Sequence, residues 1–132
     1  MYNSNFNLEI LAAAWNRLDI QLLEPQISEN FSYDSQYVFK NIQSKAEFIT
    51  HLNAKFNAIR ILKEAGQMSV VAEIGLVPAL KNQSCIILTQ SGRGMNEKVL
   101  LLIKEEQNLI TSIQVCFVPD PNNAIRLGIF PQ

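Results

Sequence analysis

The segment Glu97–Phe117, EKVLLLIKEEQNLITSIQVCF, decides the fold. Val99, Leu101 and Ile103 alternate with Leu100 and Leu102. Past the polar turn Glu105 to Asn108, Ile113, Val115 and Phe117 oppose Gln114 and Cys116. A period of two marks strands, here Glu97 to Lys104 and Leu109 to Val118. A sheet that is apolar on both faces needs two covers. One is a helix. The other is a partner subunit, or the cavity side closed by the first helix. The pattern predicts a concave sheet around an apolar pocket, and a homodimer through the sheet.

Working upstream, Met68, Val70, Ala72, Ile74 and Leu76 alternate with their neighbours, and Ser84 to Gln90 makes another strand. Gly92-Arg93-Gly94 turns the chain back sharply. Short connections between successive strands give an antiparallel meander. Three helices precede it. Leu8, Leu11, Ala12 and Trp15 share one face of a helix near 6–17. Asp19 caps a short helix that carries Leu22 and Leu23 and that Pro25 closes. Ser44 and Glu47 form a capping box ahead of Phe48, Leu52, Phe56 and Ile59, which predicts a helix over 45–61. Phe31 to Val38 reads as one strand or two short ones, with a turn at Asn41 and Gln43. Pro119, Asp120 and Pro121 end the strand pattern, and the tail Ala124 to Phe130 is apolar enough to pack on the domain or a partner. The fold class is therefore α+β, with N-terminal helices on a strongly curved antiparallel sheet. Residues 5–118 form the domain and 119–132 the tail.

With 132 residues the chain suits one domain, and 48% hydrophobic residues suffice for a core. A net charge of -1 provides no basic footprint for nucleic acid. No apolar run approaches a membrane span, and no secretory pattern opens the chain, so the expected location is the cytoplasm. Cys85 and Cys116 lie in apolar strands and read as buried free thiols. His51 is the one histidine, with no second ligand at metal spacing, so neither a metal nor a cofactor is expected.

The run of AAAWNRLDIQLL, FSYDSQYVF, IQSKAEFITHLNAKF and VLLLIKEEQNLITSIQVCF, in that order, resembles the nuclear-transport-factor-2-like superfamily, also called SnoaL-like or cystatin-like α+β. The resemblance covers about 5–118 and implies a cone-shaped fold. It leaves function open, because the superfamily hosts isomerases, dehydratases, cyclases, hydrolases, transport factors and association modules. Compared with ketosteroid isomerase, Asp34 falls near the general-base aspartate. The oxyanion-donor positions fall at about Leu11 and Val99, whose side chains have no donor.

The candidate catalytic residues are thus Asp34 and His51, a carboxylate and an imidazole suited to proton transfer. Trp15, Tyr33 and Tyr37, with Val99, Leu101, Ile113, Val115 and Phe117, are the candidate pocket lining. Which side of the 31–36 strand is concave decides between Asp34 and Tyr33, since alternation puts them on opposite faces. The expected function is binding of a hydrophobic small molecule. The alternatives are acid–base catalysis by an isomerase, dehydratase or cyclase, or a non-catalytic dimerisation module. A cavity of a few hundred cubic ångströms would favour ligand chemistry.

Overall fold

The computed structural model describes residues 5–36 and 40–132. Helix α1 (Phe6–Arg17) starts where the Asn5 side chain accepts the Leu8 amide at 3.1 Å, and Leu18 ends it in a left-handed conformation. Asp19 caps α2 (Ile20–Leu23), and Pro25 lies in the 3-10 turn Glu24–Gln26 that leads into β1 (Ile27–Ser35). The expected second half of this strand, with Tyr37, lies partly outside the described residues. The turn predicted at Asn41 is instead β2 (Lys40–Ile42), antiparallel to β1. Two contacts hold it there: Ile42 is buried in the core, and Asn41 Nδ2 donates to the carboxylate of Asp34, its cross-strand neighbour.

Helix α3 (Lys45–Glu64) begins at Ser44, whose hydroxyl accepts the Glu47 amide at 3.2 Å. It continues past the predicted end at 61 because no breaker precedes Gly66. There Gln67 N bonds back to the Leu62 carbonyl at 2.8 Å. The meander follows as β3 (Ser69–Val77), β4 (Gln83–Gly92), β5 (Met95–Glu106) and β6 (Leu109–Cys116), all antiparallel. Strand β1 joins β6 in parallel, and β7 (Ile125–Ile129) adds antiparallel to β3. The sheet order is β2-β1-β6-β5-β4-β3-β7, a curled sheet with the helices on one face.

That inner face takes α1 over β3 and β4 and α3 over β1. Phe48 and Phe56 of α3 and Leu8 and Leu11 of α1 are almost fully buried against Ile74, Ile86, Leu101 and Ile110. Fully burying such a side chain contributes about 1.5–3 kcal/mol. The outer face is also apolar: Val77, Cys85, Ile87, Leu100, Leu102 and Cys116 form a second buried cluster. Within the chain, the cover of this face is not helix one, which packs on the inner side. The chain's own tail crosses it, with the 3-10 turn Pro121–Asn123 against β5 and Ala124 packed on the cluster. Burial pushes the Cys116 thiol up and the Cys85 thiol up to about 12. Both cysteines are free.

Polar contacts tie the tail down. Glu73, only 4% exposed, accepts from Arg126 Nε at 2.8 Å and from the Gly128 amide at 2.9 Å. Asn16 of α1 exchanges bonds with the Ala72 backbone at 2.8 and 2.9 Å and donates to the Pro131 carbonyl at 2.7 Å. One amide side chain thus satisfies the β3 edge and the end of the tail together.

Candidate functional site

Strand register builds the floor of a cavity at one end of the inner face. Ser35, Val115 and Leu101 stand on one rung, Val99 and Leu88 on the next, and Glu97 and Gln90 on a third. The inward position beside Val99 would go to Phe117 if β6 continued, but β6 ends at Cys116. The Phe117 and Val118 amides turn away and both donate to Gln36 Oε1 at 3.1 Å. Phe117 is 45% exposed, and the space it leaves stays open.

Helices close the other side. Trp15 of α1 stands edge-on to Phe56, with ring centroids 4.9 Å apart and planes at 77°. His51 and Lys55, one turn apart on α3, reach in beside it. The enclosed space is about 70 Å³, lined by Trp15, Leu88, Val99, Leu101 and Val115 below. Tyr33, Ser35, His51, Lys55, Gln90 and Glu97 supply the polar groups. Tyr33 is wedged between Phe48 at 5.1 Å and His51 at 5.8 Å, centroid to centroid. Burial raises its phenol pKa, and a hydrogen bond with Ser35 partly offsets this. Lys55 Nζ lies 5.7 Å from the centroid of the Trp15 ring, a cation–π distance. Burial lowers the Lys55 pKa, opposed by the nearby Glu97 carboxylate.

Trp15, Tyr33, His51, Val99, Leu101 and Val115 therefore meet at one cavity. Asp34 does not join them: alternation turns it to the opposite side of β1, beside Gln114 and hydrogen-bonded to Asn41. Ile113 is buried one rung deeper in the core, Phe117 faces outward, and Tyr37 lies outside the described residues. The cavity is smaller than expected from sequence because Trp15 and Tyr33 fill much of the cone. Among the described residues no cluster of three or more His, Cys, Asp or Glu forms a metal site, and no helix is long and apolar enough to cross a membrane.

No family model and no curated protein matches the chain. Solved structures do. A polyketide cyclase, so described provisionally, from Sinorhizobium meliloti superposes with a TM-score of 0.62 at 14% identity, covering 85% of this chain and 94% of that one. An NTF2-like protein of unknown function from Cytophaga hutchinsonii gives 0.56 at 14% identity, covering 87% and 92%. The fold is NTF2-like. A protein from Catenulispora acidiphila with a ketosteroid-isomerase-like fold, solved in complex with trimethylamine, gives 0.58 at 14% identity, covering 86% and 85%.

Within this NTF2-like cone, sequence reasoning missed Ser35, Lys55, Leu88, Gln90 and Glu97. Two signals were present. Lys55 lies four residues after His51, on the same helical face. Ser35 shares the strand face of Tyr33. Leu88, Gln90 and Glu97 needed the strand register.

The depressed Lys55 pKa has a testable consequence. Between the folded value and the ordinary lysine value, the unfolded chain holds a proton that the folded chain has lost. Stability therefore rises with pH in that window, and the penalty of burying the ammonium is greatest below it. Lys55→Met removes the penalty. Scanning calorimetry should show a melting temperature raised by about 3 °C at neutral pH, with the gap to wild type closing as pH approaches the ordinary lysine pKa. A variant that melts lower at neutral pH would contradict this.

Proposed function

We propose that the cavity binds small molecules with an apolar body and one polar end. The observation supporting this is convergence. Polar groups from β1, α3, β4 and β5 ring a small hollow over an apolar floor. A purely structural module has no need of so many polar side chains around a void, since each costs free energy to desolvate. The lining is rich in donors: Tyr33, Ser35, His51, Lys55 and Gln90 all carry them, and Glu97 is the one carboxylate. Such a set favours a ligand that brings an acceptor oxygen. The trimethylamine of the Catenulispora protein is of similarly small scale. Acid–base chemistry of the isomerase, dehydratase or cyclase type is the second reading. It rests on His51 and Glu97 sharing the cavity, without Asp34.

Scale sets the assay. About four ligand heavy atoms at no more than ~1.5 kcal/mol each reach roughly 6 kcal/mol, or tens of micromolar at best. Amide chemical shifts read that range. Titration of 1-propanol, propanoate and trimethylamine should move the amides of Gln90, Val99 and Val115 for at least one probe. Val115→Phe, which fills the hollow, should weaken that response at least about tenfold with the rest of the spectrum retained. Responses absent for all three probes, or unchanged in Val115→Phe, would refute the reading.

A further inference from the structure

Lys55 brings a primary amine into the cavity, and its surroundings differ from those of the exposed Lys63, Lys81, Lys98 and Lys104. Its Nζ stands over the Trp15 ring, Glu97 reaches in from the facing sheet, and His51 sits one helical turn away. Carbonyl-trapping amines need this combination: a partly desolvated nitrogen, a neighbouring proton carrier, and an apolar wall that holds the carbonyl compound against them. We propose, resting on the cavity's being a ligand site, that Lys55 forms an imine with small aldehydes or ketones bound beside it.

The step balances without an oxidant or reductant. Glu97 takes a proton from the ammonium, freeing the nitrogen lone pair. That pair adds to the carbonyl carbon, and the C=O π electrons move to oxygen, which gains a proton. The carbinolamine nitrogen then loses its second proton, and its lone pair forms C=N as the hydroxyl leaves, protonated, as water. The two protons lost by nitrogen, the first returned by Glu97, are the two that oxygen gains, so the net change is carbonyl plus ammonium to protonated imine plus water, and the protonated imine is the species that cyanoborohydride reduces. Tyr33 and His51 line the same cavity and are the groups available to protonate the oxygen. Burial, which outweighs Glu97 in lowering the Lys55 pKa, raises the fraction of free amine. The hollow limits the carbonyl compound to about the size of propanal or acetone.

Reductive trapping tests this on the full chain. Propanal with sodium cyanoborohydride at neutral pH, followed by peptide mapping, should alkylate Lys55 at least about tenfold faster than Lys63, Lys81, Lys98 or Lys104, although Lys55 is less exposed. The Lys55 rate should saturate with propanal and fall in the presence of 1-propanol. The surface rates should stay as they are. Labelling of Lys55 no faster than the exposed lysines overturns the proposal. The two readings fail separately. Chemical-shift changes with 1-propanol but no selective trapping leave a binding site and remove the imine. Selective trapping that 1-propanol neither perturbs nor competes with keeps the reactive lysine and removes reversible binding.

Discussion

Phe56→Ala is expected to destabilise the protein by about 3–5 kcal/mol, the range for emptying a fully buried phenylalanine site. Phe56 is 0% exposed and lies at the centre of the face that α3 turns to the core. A domain of this size is stable by only about 5–15 kcal/mol, so a large part of the total would go. The loss also reaches the site. Trp15 rests edge-on against Phe56 and forms a wall of the cavity. Without that support the indole gains room to drop into the vacated volume, which enlarges the pocket and loosens the Lys55 contact. Trp15 is the only tryptophan, so its fluorescence reports both effects in one urea titration. The midpoint should fall, and the folded-state emission should shift. Phe56→Leu, which leaves less of a void, should lose markedly less. A Phe56→Ala unfolding free energy within about 1 kcal/mol of wild type would show the core to be far more adaptable than its packing suggests.

Gly92→Ala is the second large effect, expected at about 2–5 kcal/mol. Two costs add. The backbone at Gly92 has φ +132, a region that L side chains rarely adopt. A β-carbon there would also sit 2.1 Å from the Gln67 carbonyl oxygen and 2.8 Å from Met68 Cα. Both are backbone atoms, so relief requires moving the α3–β3 connection itself. Gly94 is the internal control. It too has positive φ, at +76, but a β-carbon there would have open space for at least 4 Å around it. Gly94→Ala should cost only the conformational part, about 1 kcal/mol. Thermal melts of the two variants should therefore separate clearly, and equal losses would rule out the close approach as the cause. The hairpin that Gly92 closes carries the Gln90–Glu97 pair at the rim of the cavity. Gly92→Ala should accordingly disturb the rim amides of these two residues more than those of Val115 on the floor.

Much of the fold was legible because local chemistry wrote it. Asn5, Asp19 and Ser44 each cap the helix that follows, as side-chain acceptors placed before apolar-periodic runs do. The meander could be read from its period and its turns, since each strand pairs with the next in the chain. Pairings between distant segments left less trace. That β1 lies parallel to β6, and that the tail returns as β7 on β3, follow from no local pattern. Ile125 to Ile129 is too short to announce itself as a strand. It becomes one because Glu73, Asn16 and the edge of β3 are there to receive it.

The site divides in the same way. Residue type and alternation point to Tyr33, His51 and Val99, and these do line the cavity. Asp34 is a candidate through its place in the resemblance, and a single strand alternation puts it on the wrong side of β1 for that cavity. Phe117 would point inward, as its period predicts, had its amide not left the ladder for Gln36. Lys55 and Glu97 come from segments far apart in sequence, so neither hints at the other.

By itself, the sequence determined the helices, the meander and the two-sided apolarity of its central strands, because caps, turns and hydrophobic periods act over a few residues. Only the tertiary structure decided that the chain's own tail crosses the second apolar face and that a hollow remains where β6 stops. Those outcomes depend on which distant backbone groups reach one another, and contacts of that range are selected by packing the whole chain at once.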